Sequence, residues 1–400
     1  MNDETPTFLK KTYDIIVVGG GPAGTSAARY AAQAGADVIL FERDKAIGKP
    51  VRCGEGISQR GLKGHISLNG PWIANKIDIA ELVAPDGSKI TLQSDLVGYI
   101  LNRDIFDSKL AEKARDNGAV VVTGADVFEL TGNKGKIDGV HVLYKAKKFK
   151  VTGKIFIGAD GVESKIGRMA GINTLTKFNN MESSVQVTAE EIIINKEVCR
   201  FYFGQKYAPG GYLWIFPKTD TSANIGVGIS GNNSKKNPAE YYLKKFMSEK
   251  YPEAKWTNYI AGGVPCNPPL KRLTKNNVML VGDAGHQINP LTGAGIANAL
   301  QAGKIAGEVA ADAVKSGNKM ESCLEQYTKK WYRSRGRLHK SNTRLKNAVM
   351  KLSDKNLNEI AGLLGKLPKN EWSMTKIFML ALRKHPDLII DSIKVFGKLK

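Results

Sequence analysis

A glycine turn set between two short apolar runs constrains this chain more than any other feature. Residues 13–19 (YDIIVVG) are β-branched and end in glycine, the pattern of a strand buried on both faces. Residues 22–35 are alanine-rich and read as a helix, and residues 37–42 (DVILFE) form a second strand. Between first strand and helix stands Gly19-Gly20-Gly21-Pro22-Ala23-Gly24. Gly19 permits the tight turn, Gly21 lets a pyrophosphate approach the backbone, and Gly24 lets helix and strand pack closely. Ala23 completes the turn at the helix start, whose N–H groups and positive partial charge suit phosphates. Glu42 ends the second strand, where a carboxylate can bind both hydroxyls of an adenosine ribose and repel a 2′-phosphate.

Two later segments extend the site. Gly158-Ala159-Asp160-Gly161 closes a buried strand. Val281-Gly282-Asp283-Ala284 closes another and runs into Gly293-Ala294-Gly295-Ile296, the start of a long small-residue helix. Asp283 is placed for a ribityl hydroxyl. The N–H groups of Gly293, Gly295 and Ile296 are placed to stabilise negative charge on a reduced flavin ring. In this order the three segments describe one FAD site. His286, between them, is a catalytic base or, as is commoner for a lone loop histidine, a structural residue.

Length and composition set the frame. Four hundred residues suffice for two packed domains. No apolar run approaches the ~18 residues that span a bilayer, and the acidic N-terminus lacks a signal-peptide pattern. Cys53, Cys199, Cys266 and Cys323 are scattered, with no zinc or iron–sulfur spacing, so no metal is expected and a reducing compartment fits. The net charge is +21, and residues 318–400 hold 19 Lys/Arg against 7 Asp/Glu. Such an excess is a solvated surface or a contact for an anionic partner: a phospholipid surface, an acidic protein or nucleic acid. No nucleic-acid-binding module accompanies it, so nucleic acid is set aside.

The expected fold class is α/β with an α+β insertion. A Rossmann-like FAD-binding domain takes residues 12–70, 96–172 and 270–317. A mostly antiparallel sheet domain, residues 71–95 and 173–269, interrupts it, and a basic helical region, 318–400, follows. Strands are predicted over 185–194, 200–203, 212–216 and 224–229, and helices over 103–117 and 238–248.

The three glycine–aspartate segments resemble the p-hydroxybenzoate-hydroxylase-like FAD superfamily over roughly residues 12–315. The resemblance implies that Arg103 lies near the flavin and that Val127 packs by the adenine. Two further segments narrow it. Pro50-Val51-Arg52-Cys53-Gly54-Glu55-Gly56 and Tyr212-Leu213-Trp214-Ile215-Phe216-Pro217 are similar to motifs of the geranylgeranyl reductase family, in particular its archaeal members, which saturate the isoprenoid chains of digeranylgeranylglycerophospholipids. On a strand, Tyr212, Trp214 and Phe216 share one face and make an apolar wall suited to a polyprenyl chain, or a sheet core. Cys53 is either a buried small residue or a group beside the reacting alkene, and Gly54 and Gly56 favour close approach to a ring.

The expected chemistry is hydride from reduced FAD plus a proton added across isolated double bonds. Tyr212, Cys53 and an ordered water are the candidate proton donors, and Trp214 can stabilise developing positive charge. The electron donor is open among ferredoxin, reduced deazaflavin and NAD(P)H. Basic residues 329–337 and the mixed apolar–lysine stretch 377–399 suit either a membrane-surface contact or helices packed on the FAD domain. The expected location is cytoplasmic, peripheral to the inner face of the membrane. An aromatic monooxygenase of the same fold, using FAD and NAD(P)H, is the alternative. A quinone-linked electron-transfer protein lacks its cluster ligands here, and an intact flavin site argues against a lipid carrier without redox chemistry.

Overall fold

The computed structural model describes residues 10–133, 135–317 and 320–365. The chain opens with β1 (Thr12–Val18), α1 (Pro22–Gln33) and β2 (Val38–Glu42). A short β3 (Gly56–Ser58) and α2 (Gln59–Leu62) precede the long pair β4 (Ile73–Val83) and β5 (Lys89–Leu101). After α3 (Arg103–Asp116) come β6 (Val120–Thr123), β7 (Ala125–Asn133), β8 (Lys136–Tyr144), β9 (Lys147–Gly158) and α4 (Lys165–Met169). The next unit is β10 (Met181–Glu190), β11 (Val198–Tyr202), β12 (Tyr212–Pro217), β13 (Ser222–Ser230), α5 (Ala239–Lys250) and β14 (Lys255–Pro265). The chain returns through β15 (Thr274–Lys275) and β16 (Val278–Leu280) to α6 (Ile296–Lys315), α7 (Met320–Trp331), α8 (Arg337–Val349) and α9 (Asp354–Gly365).

Two eight-stranded sheets result. In the first, β1 pairs in parallel with β2 on one side and β9 on the other, and β16 extends the β9 side. The chain therefore leaves β1 in both directions, and the glycine turn sits at that switch point, where open α/β sheets bind ligands. β7, β8 and the first half of β9 form an antiparallel meander on the same sheet. The second sheet runs β14-β10-β13-β12-β11-β4-β5-β3 and is antiparallel except for β11 beside β4.

Strand pairing departs from the residue ranges expected above in two places. Residues 56–58 join the second sheet as its edge, and residues 98–101 pair within it rather than with the first. Both lie at the loop that carries the cysteine, where the sheets meet. β7 and β14 were not expected. β14 is an edge strand with most residues exposed, so it lacks the apolar alternation that marks a half-buried strand.

Burial follows strand period. Ile15 and Val17 pack towards α1 and α6, and Ile16 and Val18 towards the meander. In the second sheet Leu213, Ile215, Ile225 and Val227 pack on Leu243 and Phe246 of α5. That leaves the alternate residues of β12 facing the first sheet.

Helices α1 and α6 meet at backbone distance. A Cβ on Gly303 would lie 2.3 Å from the Ala23 carbonyl oxygen, and one on Gly307 2.4 Å from that of Ala27. The α1 alanines Ala23, Ala27 and Ala31 complete the small-residue seam. Gly307→Val forces the helices apart, and an overpacking cost of about 1–3 kcal/mol is expected as a lower melting temperature by calorimetry. An unchanged melting temperature contradicts this account of the seam.

His65 follows α2, buried against the edge of Tyr30. Burial, then the charges of Lys304, Arg29 and Arg335, push its imidazole down to about 4 from 6.5. The unfolded chain thus binds a proton that the folded one refuses between those values. Stability from this site is intact above pH 6.5 and declines as pH falls towards 4. His65→Gln is expected to flatten unfolding free energy against pH in that window, measured by urea titration. An equally steep profile in the variant rules this group out.

Candidate active site

At the dinucleotide end, geometry separates the three turn glycines. Gly19 has φ +110° and a Cβ there would lie 2.3 Å from the Ala159 carbonyl oxygen, while one on Gly24 would lie 1.9 Å from that of Gly19. At Gly21 a Cβ would meet nothing within 4 Å. The backbone there faces an open cleft of about 120 Å³, lined by Gly20, Gly21, Glu42, Asp44 and Gly48. Pro22 occupies the first helical position above it, and Ala23 is buried behind it. Glu42 stands at the cleft wall, accepting from the backbone N–H groups of Gly20 at 2.6 Å and Asp44 at 2.8 Å. Val127 packs in the core with Phe41, Val122 and Val142.

The second and third segments interlock. Asp160 Oδ2 accepts from the Ile166 N–H at 2.9 Å, and its Oδ1 is buried with no partner among the described residues. Burial raises this carboxyl above its ordinary value, against the backbone donors. Ser164 Oγ donates to the Ala284 carbonyl at 3.2 Å, joining the two segments. A Cβ on Gly295 would lie 3.5 Å from Asp283 Oδ1, which places that carboxylate at the mouth of α6 with Ile296 as the first helical residue. Burial pushes Asp283 up to about 6, opposed by Arg103. His286 is buried, with Nε2 on the Thr174 carbonyl at 3.1 Å, and burial lowers its pKa. It is a structural bridge in this fold.

Arg103 begins α3 and holds Asp107 through two bonds, 2.8 and 2.7 Å. Burial alone would lower the guanidinium. Asp107 and then the Cys53 thiol, which it also meets, hold it above its ordinary value. Arg103 thus has both Asp283 and the Cys53 thiol as electrostatic neighbours.

The RCGEG loop is fastened by Glu55. This residue is buried and left-handed, at φ 71°. Its Oε1 accepts from the Arg103 N–H at 2.9 Å, and its Oε2 from Lys218 Nζ at 2.7 Å and Asn224 Nδ2 at 2.6 Å. Its carbonyl accepts from the Leu101 N–H, and its own N–H donates to Cys53 Sγ at 3.2 Å. One side chain therefore ties the cysteine loop, α3 and two strands of the second sheet.

Against that loop stands the aromatic face of β12. Tyr212, Trp214 and Phe216 alternate with the buried Leu213 and Ile215, and their rings sit edge-on or tilted at 5.8 and 6.2 Å. Gly54 and Gly56 lie under the wall: a Cβ on either would be 3.1–3.3 Å from the Phe216 ring. Opposite Trp214, Gly226 clears the strand, since a Cβ there would lie 2.3 Å from the indole. Trp214 Nε1 donates to Gln186 Oε1 at 2.9 Å, and Gln186 Nε2 donates to the Cys53 carbonyl at 3.1 Å. Tyr212 donates to the Thr292 carbonyl at 2.5 Å, next to Gly293. Burial first, then Glu182, Cys266 and Cys53, raise its pKa and keep the phenol protonated.

Glu55, Gln186, Lys218 and Asn224 belong to this site but were not singled out by sequence. Phe201 also joins the wall, 5.7 Å from Tyr212 and 5.5 Å from Phe216. Glu55 lay inside a quoted motif, and Phe201 in an aromatic run on β11, so two signals were present. Gln186 carried a fainter one, an amide among β-branched residues.

Two family models match: a pyridine nucleotide-disulphide oxidoreductase domain over residues 13–180 and a geranylgeranyl reductase catalytic domain over residues 180–264. The boundary falls where the chain returns to the sheet that carries the aromatic wall. A digeranylgeranylglycerophospholipid reductase of Methanococcoides burtonii is 40% identical, covering 88% of both chains. One of Methanosarcina acetivorans is 39% identical, covering 96% of both. The chain belongs to the digeranylgeranylglycerophospholipid reductase family. A crystal structure of a geranylgeranyl bacteriochlorophyll reductase-like protein from Thermoplasma acidophilum superposes with TM-score 0.91 at 33% identity, covering 96% of this chain and 99% of that one. A flavin-dependent brominase, at TM-score 0.70 and 16% identity over 94% of this chain, shares the fold. Family membership makes the chain a flavin-dependent oxidoreductase, and the monooxygenase alternative fits it less well.

Glu55→Ala removes three acceptances at once and strands Lys218. A loss near the lower end of about 3–5 kcal/mol is expected, because Lys218 keeps some water. Chemical denaturation and flavin retention on gel filtration check it. A variant that melts normally and holds flavin as the parent does refutes the hub.

Proposed function

We propose that this chain is an FAD-dependent reductase that saturates the geranylgeranyl chains of digeranylgeranylglycerophospholipid. One observation carries the reading. An aromatic wall, a glycine-lined cysteine loop and the segment that leads into α6 are brought together, joined by Trp214–Gln186–Cys53 and Tyr212–Thr292. The wall offers rings and no charge, which suits an isoprenoid chain.

The residues fit FAD. Gly21 leaves open space for phosphate, Glu42 stands at the cleft for ribose, and Asp160 Oδ1 is a buried acceptor awaiting a donor. Asp283, Gly293, Gly295 and Ile296 form the far end, with Arg103 beside them. When bound and reduced, FAD supplies a hydride from its ring.

The protein's part is to bind, orient and protonate. Phe216 packs on Gly54 and Gly56 and fixes the loop against the wall, and the aromatic face of β12 orients the alkene; placement of this kind contributes more than any charge stabilisation by the rings. Tyr212 commits its proton to Thr292, so it braces the wall. Cys53 Sγ is the loop's proton donor in this reading, oriented by the Glu55 N–H and Arg103.

No helix among the described residues is long and apolar enough to cross a membrane. Lys329, Lys330, Arg333 and Arg337 are exposed, which supports contact with an anionic bilayer surface from which the lipid enters. The stretch 377–399 lies outside the described residues.

The test is anaerobic. The flavin is reduced with dithionite, digeranylgeranylglyceryl phospholipid is added, and flavin absorbance and lipid mass are followed. Reoxidation with a gain of two hydrogens per turnover is expected. Cys53→Ala is expected to lower kcat about 10²–10⁴-fold, and Trp214→Ala to lower kcat/KM by about 10²-fold. Flavin that stays reduced, with unchanged lipid mass, overturns the reading.

A further inference from the structure

A groove of about 610 Å³ lies away from the flavin cleft, between the segment that follows β14 and the helices α7 and α8. Pro268, Pro269 and Tyr332 form its apolar floor, and Lys271, Lys340 and Arg344 stand on its walls. Among the described residues none that lines it is acidic. Lys340 Nζ lies 4.8 Å over the Tyr332 ring, so its ammonium is held against the floor. An apolar floor under three cations matches an anionic group attached to a greasy body.

The walls are braced by the fold. Tyr332 Oη donates to the Leu270 carbonyl at 2.6 Å, and the Leu273 N–H donates to Thr328 Oγ1 at 3.2 Å. On α8, His339 Nε2 meets the Asn267 carbonyl at 3.2 Å, and Asn342 donates to Asn289 Oδ1 at 3.1 Å. One turn on, Lys346 is buried 3.3 Å from Glu182, an ion pair without hydrogen-bond geometry. The inner face of α8 thus rests on the site while Lys340 and Arg344 line the groove.

The chain itself links the groove floor to the reaction site. At Gly293 a Cβ would lie 3.7 Å from Val264 and 3.9 Å from Tyr212 Oη. Val264 is the penultimate residue of β14, and four residues later the chain reaches Pro268 at the groove floor. A ligand with its chain at the aromatic wall and its head at Lys271 would follow this segment.

We propose that this groove binds the phosphate head group of the lipid whose chains are reduced. The inference rests on the reductase reading for the identity of those chains. The shared chemistry, phosphate on an apolar body, also describes bulk bilayer lipid. The braced helices and the short chain path from the groove floor to the Gly293–Tyr212 contact favour the substrate.

The experiment compares the parent with a Lys271→Ala/Lys340→Ala double variant of matched melting temperature. Two lipids are used in neutral detergent: digeranylgeranylglyceryl phosphate and digeranylgeranylglycerol, which lacks phosphate. The KM for the phosphate lipid is expected to rise about 10- to 100-fold, from the loss of two charge-assisted contacts. kcat and the KM for the alcohol are expected to move less than two-fold. Equal KM shifts for both lipids, or none, overturn the proposal. A third arm measures binding to anionic phosphatidylglycerol vesicles. Loss of vesicle binding with unchanged KM in detergent makes the groove a bilayer contact and overturns it as well. Isothermal titration with the same two lipids reads the groove without turnover. Lysine-dependent preference for the phosphate lipid in a parent that reduces neither lipid supports the groove and sinks the reductase reading alone.

Discussion

The carboxylate of Glu55 is the interaction on which the site depends. Two sheets with separate cores meet at the loop that carries Cys53, and apolar packing alone would leave their relative position loose. Glu55 draws Arg103, Lys218 and Asn224 onto two oxygens, from partners 48, 163 and 169 residues away in sequence. Its left-handed backbone is disfavoured for a non-glycine residue and persists because the surroundings over-determine it. The same bonds set the height of the cysteine loop over the first sheet and its distance from the aromatic wall.

Around that clamp the cleft is made by omission of side chains. Gly19 and Gly24 close the dinucleotide turn, Gly54 and Gly56 let the loop lie under Phe216, and Gly226 makes room for the indole. Each is a place where backbone approaches ring or backbone too closely for a Cβ. The seam of α1 on α6 follows the same logic at Gly303 and Gly307 and holds the two helices together.

How much of this could be read beforehand depended on the range of the signal. The β1–α1–β2 unit, Glu42, and the shared face of Tyr212, Trp214 and Phe216 are local patterns of period and spacing, and they were legible. β14 was not, because an exposed edge strand shows no apolar alternation. Residues 47–64 read as a glycine-rich loop, yet they contain β3 and α2, elements too short to display a period. The role of Glu55 and the Gln186 bridge between Trp214 and Cys53 depends on partners more than 130 residues apart. No window of sequence contains such a pair. Asp160 was expected to face the cofactor. It also caps α4 with one oxygen, a second duty visible only once the helix is in place.

The electrostatics of the cleft follow from the same packing. Burial pushes Tyr212, Glu182 and Asp283 towards their protonated forms. The charges that persist are held in pairs, Arg103 with Asp107 and Lys218 with Glu55. The ionisable groups around the aromatic wall are therefore paired or pushed towards neutrality. Such a lining avoids the desolvation cost that an ionised group would impose on a hydrocarbon chain. Exposed cationic side chains such as Lys329, Lys330, Arg333, Arg337 and Lys340 stand instead outside, where water screens them. The separation of a dry, neutral interior from a basic exterior is what an amphiphilic lipid requires of a protein that must reach its chains while its head stays hydrated.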